Sequence, residues 1–257
     1  MTPPLPWAFV TRPLAHRGLH DPTTARIENS RAAIEAAMQA GYGIEIDVQL
    51  TADGAALVFH DAELDRLTGE TGPVRARSLA ALQAIRLRGA ADGPPELSEV
   101  VAHVGGRVPL LIELKDQSGS LGPESEALAA AVAGAIGAAT DNIAVMSFNP
   151  HTVQHLARLL PSVPRGLTTM DFCRENTLSP EQQVRLNAIA TFDAVGASFI
   201  SHDRRSLDMD AVTRLRHRGV PVLTWTITSP AEAREALQAA DNITFEGFLP
   251  PRPVPEA

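Results

Sequence analysis

The sequence predicts an α/β fold, a (β/α)8 or TIM barrel with a short insertion after a strand-two hairpin, on three observations. Short apolar, β-branched segments alternate with alanine-rich helical ones, the pattern of parallel strands joined by crossover helices. One pair of strand segments is separated by a turn too short for a helix, so it must be a hairpin. The length of 257 residues is ordinary for one barrel, and no low-complexity stretch divides it, so a single domain over residues 1–257 is expected. Periodicity by itself also admits a doubly wound open sheet.

The expected barrel strands are Leu14–His16, Gly43–Val48, Leu110–Leu114, Ile143–Ser147, Arg165–Thr168, Ala194–Ser198, Pro221–Ile227 and Asn242–Phe245. Between them lie helical stretches at Asn29–Ala40, Glu124–Ala139, Pro150–Leu160, Glu181–Ala190, Met209–Arg218 and Ala231–Ala240. Gly41 and Gly219 follow two of them as stop signals, and Pro230 precedes another as a start signal. Asn29 is placed to cap the first of these helices or else to reach the site, and Glu28 before it either orients a site arginine or pairs on the surface. The hairpin joins Gly43–Val48 to Ala56–His60 through Thr51-Ala52-Asp53-Gly54. A turn centred between Ala52 and Asp53 sets Glu45 opposite His60 and Asp47 opposite Val58; a slip of one residue would turn His60 to the other face. Residues 61–99, with their TGETGPV and ADGPP turn clusters and one helix near Leu79–Ile85, form a small insertion or a lid over the barrel mouth.

Charged residues inside buried strands need a cause. In Ile44-Glu45-Ile46-Asp47-Val48 the carboxylates stand at i and i+2, on one face and about 6.5 Å apart along the backbone, with the isoleucines facing the other way. Glu113 and Lys115 share a face in the same manner near the end of Leu110–Leu114. Such acids could alternate onto a solvated edge or pair with nearby cations. Glu45, Asp47 and Glu113 converging on one point would instead give hard oxygen ligands for a divalent cation, Mg2+ or Ca2+. Two further segments end in His16-Arg17-Gly18 and His60-Asp61, and carboxyl ends of strands form the catalytic face of such barrels. A phosphodiester suits this set: Arg17 and Lys115 would bind its oxygens, and His16 and His60 would move protons near neutral pH. Which histidine is acid and which base is open. Gly18 allows close approach of substrate or shapes the turn, and Trp225 either walls the pocket or belongs to the core. His20, His103, His151, His155, His202 and His217 are expected at surface or capping positions.

The net charge of −8 argues against a nucleic-acid partner, whose phosphates require clustered Lys and Arg, but leaves room for a small anionic substrate. A single cysteine, Cys173, permits no internal disulfide and is compatible with the cytoplasm, and the first residues lack the marks of an export signal. No run approaches the ~20 apolar residues of a membrane helix, so no stable membrane insertion is expected.

Read together, LAHRG at 14–18, ENS at 28–30, EIDVQLTADGAALVFHD at 45–61, LTGETGPV at 67–74, PELSEVV at 95–101, LIELK at 111–115, VMSFNP at 145–150 and GVPVLTWTI at 219–227 resemble the glycerophosphodiester phosphodiesterase family. The resemblance implies metal-dependent hydrolysis of glycerophosphodiesters to glycerol 3-phosphate and an alcohol, with a vicinal glycerol hydroxyl as internal nucleophile. It implies that Glu45, Asp47 and Glu113 are metal ligands, His16 and His60 the acid/base pair, and Arg17 and Lys115 phosphate contacts. A related hydrolase of lysophospholipids or other larger phosphodiesters is the alternative. The chain departs from the family pattern at Ile27, at Thr228 in WTIT, and at Phe245-Glu246-Gly247-Phe248-Leu249-Pro250, where an Asp-Arg-Pro element is usual; the last two bear on the pocket walls.

Overall fold

The computed structural model describes residues 2–251. Its strands are β1 Leu14–Ala15, β2 Gly43–Leu50, β3 Ala56–Val58, β4 Leu110–Leu114, β5 Ile143–Ser147, β6 Arg165–Thr169, β7 Phe199–Asp203, β8 Val222–Ile227 and β9 Asn242–Phe245. The sheet runs β1-β9-β8-β7-β6-β5-β4-β2, and β1 also pairs with β2, which closes an eight-stranded parallel barrel. β3 lies outside that ring as an antiparallel partner of β2. The helices are α1 Ala8–Thr11, α2 Arg31–Ala40, α3 Leu79–Gln83, α4 Leu97–Val104, α5 Glu126–Ile136, α6 Pro150–Leu159, α7 Pro180–Asn187, α8 Asp210–His217 and α9 Pro230–Ala236.

The barrel is layered by chemistry. Leu14, Leu111, Ala144, Phe199 and Leu223, one from each of five strands, form an apolar cluster with Phe9 toward the amino ends of the strands. Gly166 is required there, because a Cβ would come within 2.6 Å of the Phe199 ring. The alternate residues of β2 and β4, including Ile44, Ile46, Val48, Ile112 and Leu114, pack outward with the helices. The acids of the same strands therefore point inward above the apolar layer, at the carboxyl ends where such barrels carry their chemistry. A separate cluster of Leu57, Phe59, Leu64, Leu67, Val74, Leu82 and Leu87 with Ile27 fastens the excursion after β3 onto the barrel rim.

Three expectations need correction. The strand placed at Ala194–Ser198 lies at Phe199–Asp203: residues 191–196 form turns, while Ser201, His202 and Asp203 are polar yet buried. His202 is thus not a surface residue; Thr169 and Ser206 satisfy its ring, and burial lowers its pKa to about 4. The hairpin register is shifted by one, with Val48 opposite Val58 and Phe59 N–H donating to Asp47 O. His60 still reaches the site because the ladder ends at Val58 and strict alternation no longer governs it. Finally, Ser30 caps α2 by accepting from Ala33 N at 3.2 Å, and Asn29 turns inward instead. Helices α1 and α4 add to the elements expected from the sequence. Among the described residues no helix is long and apolar enough to cross a membrane.

Candidate active site

The parallel pairing of β2 with β4 sets Asp47 beside Glu113, and Glu45 stands two residues earlier on the same face as Asp47. One oxygen from each of Glu45, Asp47 and Glu113 lies within 4.8 Å of the others, and all three residues are buried. Burial, then repulsion from Asp47 and Glu113, pushes the Glu45 carboxyl well above the usual range. Burial would raise Asp47 as well, but Lys115, His60 and Arg17 outweigh it and hold that carboxyl well below its ordinary value. Lys115 Nζ sits 2.8 Å from Asp47 Oδ1 and 2.6 Å from Glu113 Oε1. Burial opposes its charge, yet the two acids keep it charged above the usual lysine range. Three acids share the cage with two permanent cations, Lys115 and Arg17, so the resident cations do not neutralise the set. A hard divalent cation would, and the all-oxygen donors suit one, so the three carboxylates could hold it.

Arg17 enters from the turn after β1. Its backbone N–H donates to Glu45 Oε2 at 3.0 Å, its Nε lies 3.4 Å from Asp47 Oδ2, and its Nη1 donates to Glu28 at 2.7 Å. Arg17 and Asn29 both adopt left-handed backbone, φ 54° and 58°, and Asn29 N–H donates to Arg17 O at 2.8 Å. That conformation costs a non-glycine residue about 1 kcal/mol or more, and here it accompanies groups aimed at the acids. The Asn29 amide donates to Asp47 Oδ2 at 2.9 Å and accepts from Asp47 N at 3.2 Å. Gly18 packs on α2: an added Cβ would meet Ala33 at 2.8 Å, so this glycine shapes the turn.

Each histidine has a carboxylate behind it. His16 Nδ1 is 2.6 Å from Glu246 Oε2, and His60 Nδ1 is 2.7 Å from Asp61 Oδ1. Hydrogen bonds from His16 and then His20 hold the Glu246 carboxyl far below its usual range. Burial would raise Asp61, but Arg66 and His60 bring it down to about 2. An ionised carboxylate can only accept, so each Nδ1 donates its proton there and each Nε2 is left toward the site. His16 Nε2 lies 4.0 Å from Glu45 Oε2. Burial lowers the pKa of His60 more than Asp47 raises it.

The structure brings all seven polar residues named from the sequence, His16, Arg17, Glu45, Asp47, His60, Glu113 and Lys115, to one cavity of about 240 Å3. Trp225 also lines it; its Nε1 donates to Ser201 O at 3.0 Å and its ring meets Phe148 edge-on at 5.7 Å. Thr228 does not: it bonds to Glu232 at 2.8 Å on the exposed side. An adjoining cavity of about 270 Å3 shares Glu113, Lys115 and Phe148 and continues along Leu121, Met170, Phe172 and Leu178. A larger cavity of about 570 Å3, lined by Trp7, Val10, Arg216 and Pro221, opens at the amino ends of the strands and lacks converging acids. Sequence reasoning missed Glu246, Asp61 and Arg66 as partners of the site; only the acid directly after His60 offered a signal. His20, expected at the surface, lies half-buried with Nε2 3.4 Å from Glu246.

The sequence profile of the Glycerophosphoryl diester phosphodiesterase family matches residues 16–241. YhdW of Bacillus subtilis (strain 168), provisionally named a glycerophosphodiester phosphodiesterase, is 30% identical over 236 residues, spanning 88% of this chain and 89% of that protein. A glycerophosphodiester phosphodiesterase of the same organism is 24% identical over 222 residues, spanning 80% of this chain and 73% of the relative. Among solved structures, an Oleispira antarctica phosphodiesterase in complex with the product sn-glycerol-3-phosphate shares the fold with a TM-score of 0.75 at 23% identity, over 93% of this chain and 94% of that one. The match begins at His16 and includes all seven of these polar residues, and the chain belongs to the glycerophosphoryl diester phosphodiesterase family, enzymes that hydrolyse phosphodiester bonds.

Proposed function

We propose that the chain hydrolyses glycerophosphodiesters to glycerol 3-phosphate and an alcohol, and that it requires a divalent cation, Mg2+ or Ca2+. The observation that carries this reading is one small cavity in which three buried carboxylates face two oriented imidazoles and two cationic side chains. Glu45, Asp47 and Glu113 would hold the cation, which supplies positive charge against the phosphoryl oxygens. Arg17 and Lys115 bind the remaining phosphate charge, and Trp225 with Phe148 walls the pocket. One imidazole takes the proton of the attacking glycerol hydroxyl as its oxygen bonds to phosphorus, while the other gives a proton to the departing alcohol oxygen as its bond to phosphorus breaks; water then adds to the cyclic phosphate with the proton transfers reversed and opens it to glycerol 3-phosphate. Asp61 and Glu246 hold the tautomers that allow both transfers. A single cysteine, which permits no internal disulfide, is compatible with a cytoplasmic site of action.

The adjoining cavity lined by Leu121, Met170, Phe172 and Leu178 supports a second reading, in which the alcohol is large and apolar, as in a lysophospholipid. Both readings are tested by release of glycerol 3-phosphate or phosphate monoester from several glycerophosphodiesters and a lysophospholipid, with and without chelator, by the wild type, His16→Ala and Glu45→Ala. Turnover of small glycerophosphodiesters that chelator and both substitutions suppress supports the first. Turnover of lysophospholipid with little on glycerophosphocholine replaces it with the second. Turnover indifferent to chelator removes the cation.

A further inference from the structure

Arg66 lies outside the barrel, in the excursion after β3, yet its guanidinium joins two parts of the site. Its Nε and Nη2 donate to the two oxygens of Asp61 at 2.6 and 2.9 Å, and its Nη1 and Nη2 donate to the two oxygens of Glu28 at 2.7 Å each. Asp61 holds His60 Nδ1, and Glu28 holds Arg17 Nη1. The polar chain therefore runs without a break from His60 through Asp61, Arg66 and Glu28 to Arg17, and on to Asp47.

A side chain that is 47% exposed would contribute little through a single ion pair. Arg66 differs in two respects. It makes two bidentate pairs, the geometry in which a planar guanidinium gives up least entropy per bond and which lysine cannot reproduce. Its backbone is also anchored on both sides. Leu64 and Leu67 are buried in the excursion's own apolar cluster, and Thr68 bonds back to Leu64 O through its N–H at 3.0 Å and its hydroxyl at 2.9 Å. The two carboxylates it grips carry no other arginine or lysine besides Arg17 among the described ion pairs.

We infer that Arg66 is a positioning residue: it fixes His60 through Asp61 and Arg17 through Glu28, so that the excursion joins the barrel's acids in setting the geometry of both groups. This inference rests on the roles proposed above for His60 and Arg17. It requires separate effects along the two arms, on turnover through Asp61 and on substrate binding through Glu28.

The test compares steady-state kinetics of Arg66→Met, Asp61→Asn, Glu28→Gln and the double variant Arg66→Met/Asp61→Asn, with His60→Ala as reference and thermal melting of each. Arg66→Met is expected to lower kcat about 10- to 100-fold, the range for lost partners behind functional groups, and to raise KM, with melting little changed. In the Asp61→Asn background the same substitution should cost less than about threefold further in kcat, since the arm is already cut. Glu28→Gln should raise KM more than it lowers kcat. The His60 Nδ1 proton, followed in 15N-histidine-labelled protein, should lose its hydrogen-bonded signal in Arg66→Met. If Arg66→Met keeps wild-type kcat, KM and Nδ1 signal while His60→Ala is inactive, the inference is wrong and the site reading stands. Losses that multiply fully in the double variant also overturn it. If His60→Ala retains full rate, the site reading itself is wrong.

Discussion

His16 and His60 are held by the same device, a carboxylate on Nδ1, but the two carboxylates are anchored differently. Asp61 follows His60 directly in sequence, and four hydrogen bonds of Arg66 tie its network to Glu28. Glu246 comes from the exit of β9, 230 residues from His16, and offers the same oxygen to His20. No arginine locks it among the described residues. One imidazole thus sits in a closed network and the other on a shared, simpler contact. Orientation of a proton-transfer group needs only a fixed acceptor; how firmly that acceptor is itself held is where substitutions will separate the two sides.

The largest effects fall on the imidazoles. His16→Ala and His60→Ala should each reduce kcat by about 10^2- to 10^4-fold. A loss confined to one of them would assign the whole proton traffic to a single side. Next come the acceptors: Asp61→Asn and Glu246→Gln should each cost about 10- to 100-fold in kcat, because the wrong tautomer becomes accessible. An unchanged rate in Glu246→Gln would show that His16 needs no partner. Smaller still is His20→Asn, where a partly exposed contact of 3.4 Å is lost and about fivefold or less in kcat is expected.

The pH dependence follows from the lowered pKa of His60, whose cause is first its burial. A lowered value means that the charged ring appears only at more acid pH than for an ordinary imidazole. An activity that needs neutral His60 should therefore keep its acid limb in kcat/KM below about pH 6.5. An acid limb above pH 7 would contradict that assignment.

The seven central residues are legible in the sequence because they break a pattern: acids and a lysine at alternate positions of apolar strands are costly to bury unless they serve one another or a ligand. The convergence of Glu45, Asp47, Glu113 and Lys115 follows from strand order alone, since β2 and β4 are neighbours although residues 51–109 lie between them. The residues behind them are not legible, because Glu246 to His16 and Arg66 to Glu28 are contacts between loops distant in sequence, where no periodicity links donor to acceptor. The misplacement of β7 has the opposite cause. The polar Ser201-His202-Asp203 reads as surface, which moves the expected strand back to Ala194–Ser198, whereas buried Thr169 and half-buried Ser206 satisfy the histidine inside the barrel. Asn29 reads as a cap because Asn is a good one, but the adjacent Ser30 takes that role and frees the amide for Asp47.

The central claim is that Glu45, Asp47 and Glu113 form a cation site. Calorimetric titration of Mg2+ and Ca2+ into the substrate-free protein, wild type against Asp47→Asn, tests it most directly. One bound cation per chain in the wild type, with affinity lost in Asp47→Asn while the melting temperature is kept, is the expected result. Equal binding by both proteins, or none by the wild type, would contradict it.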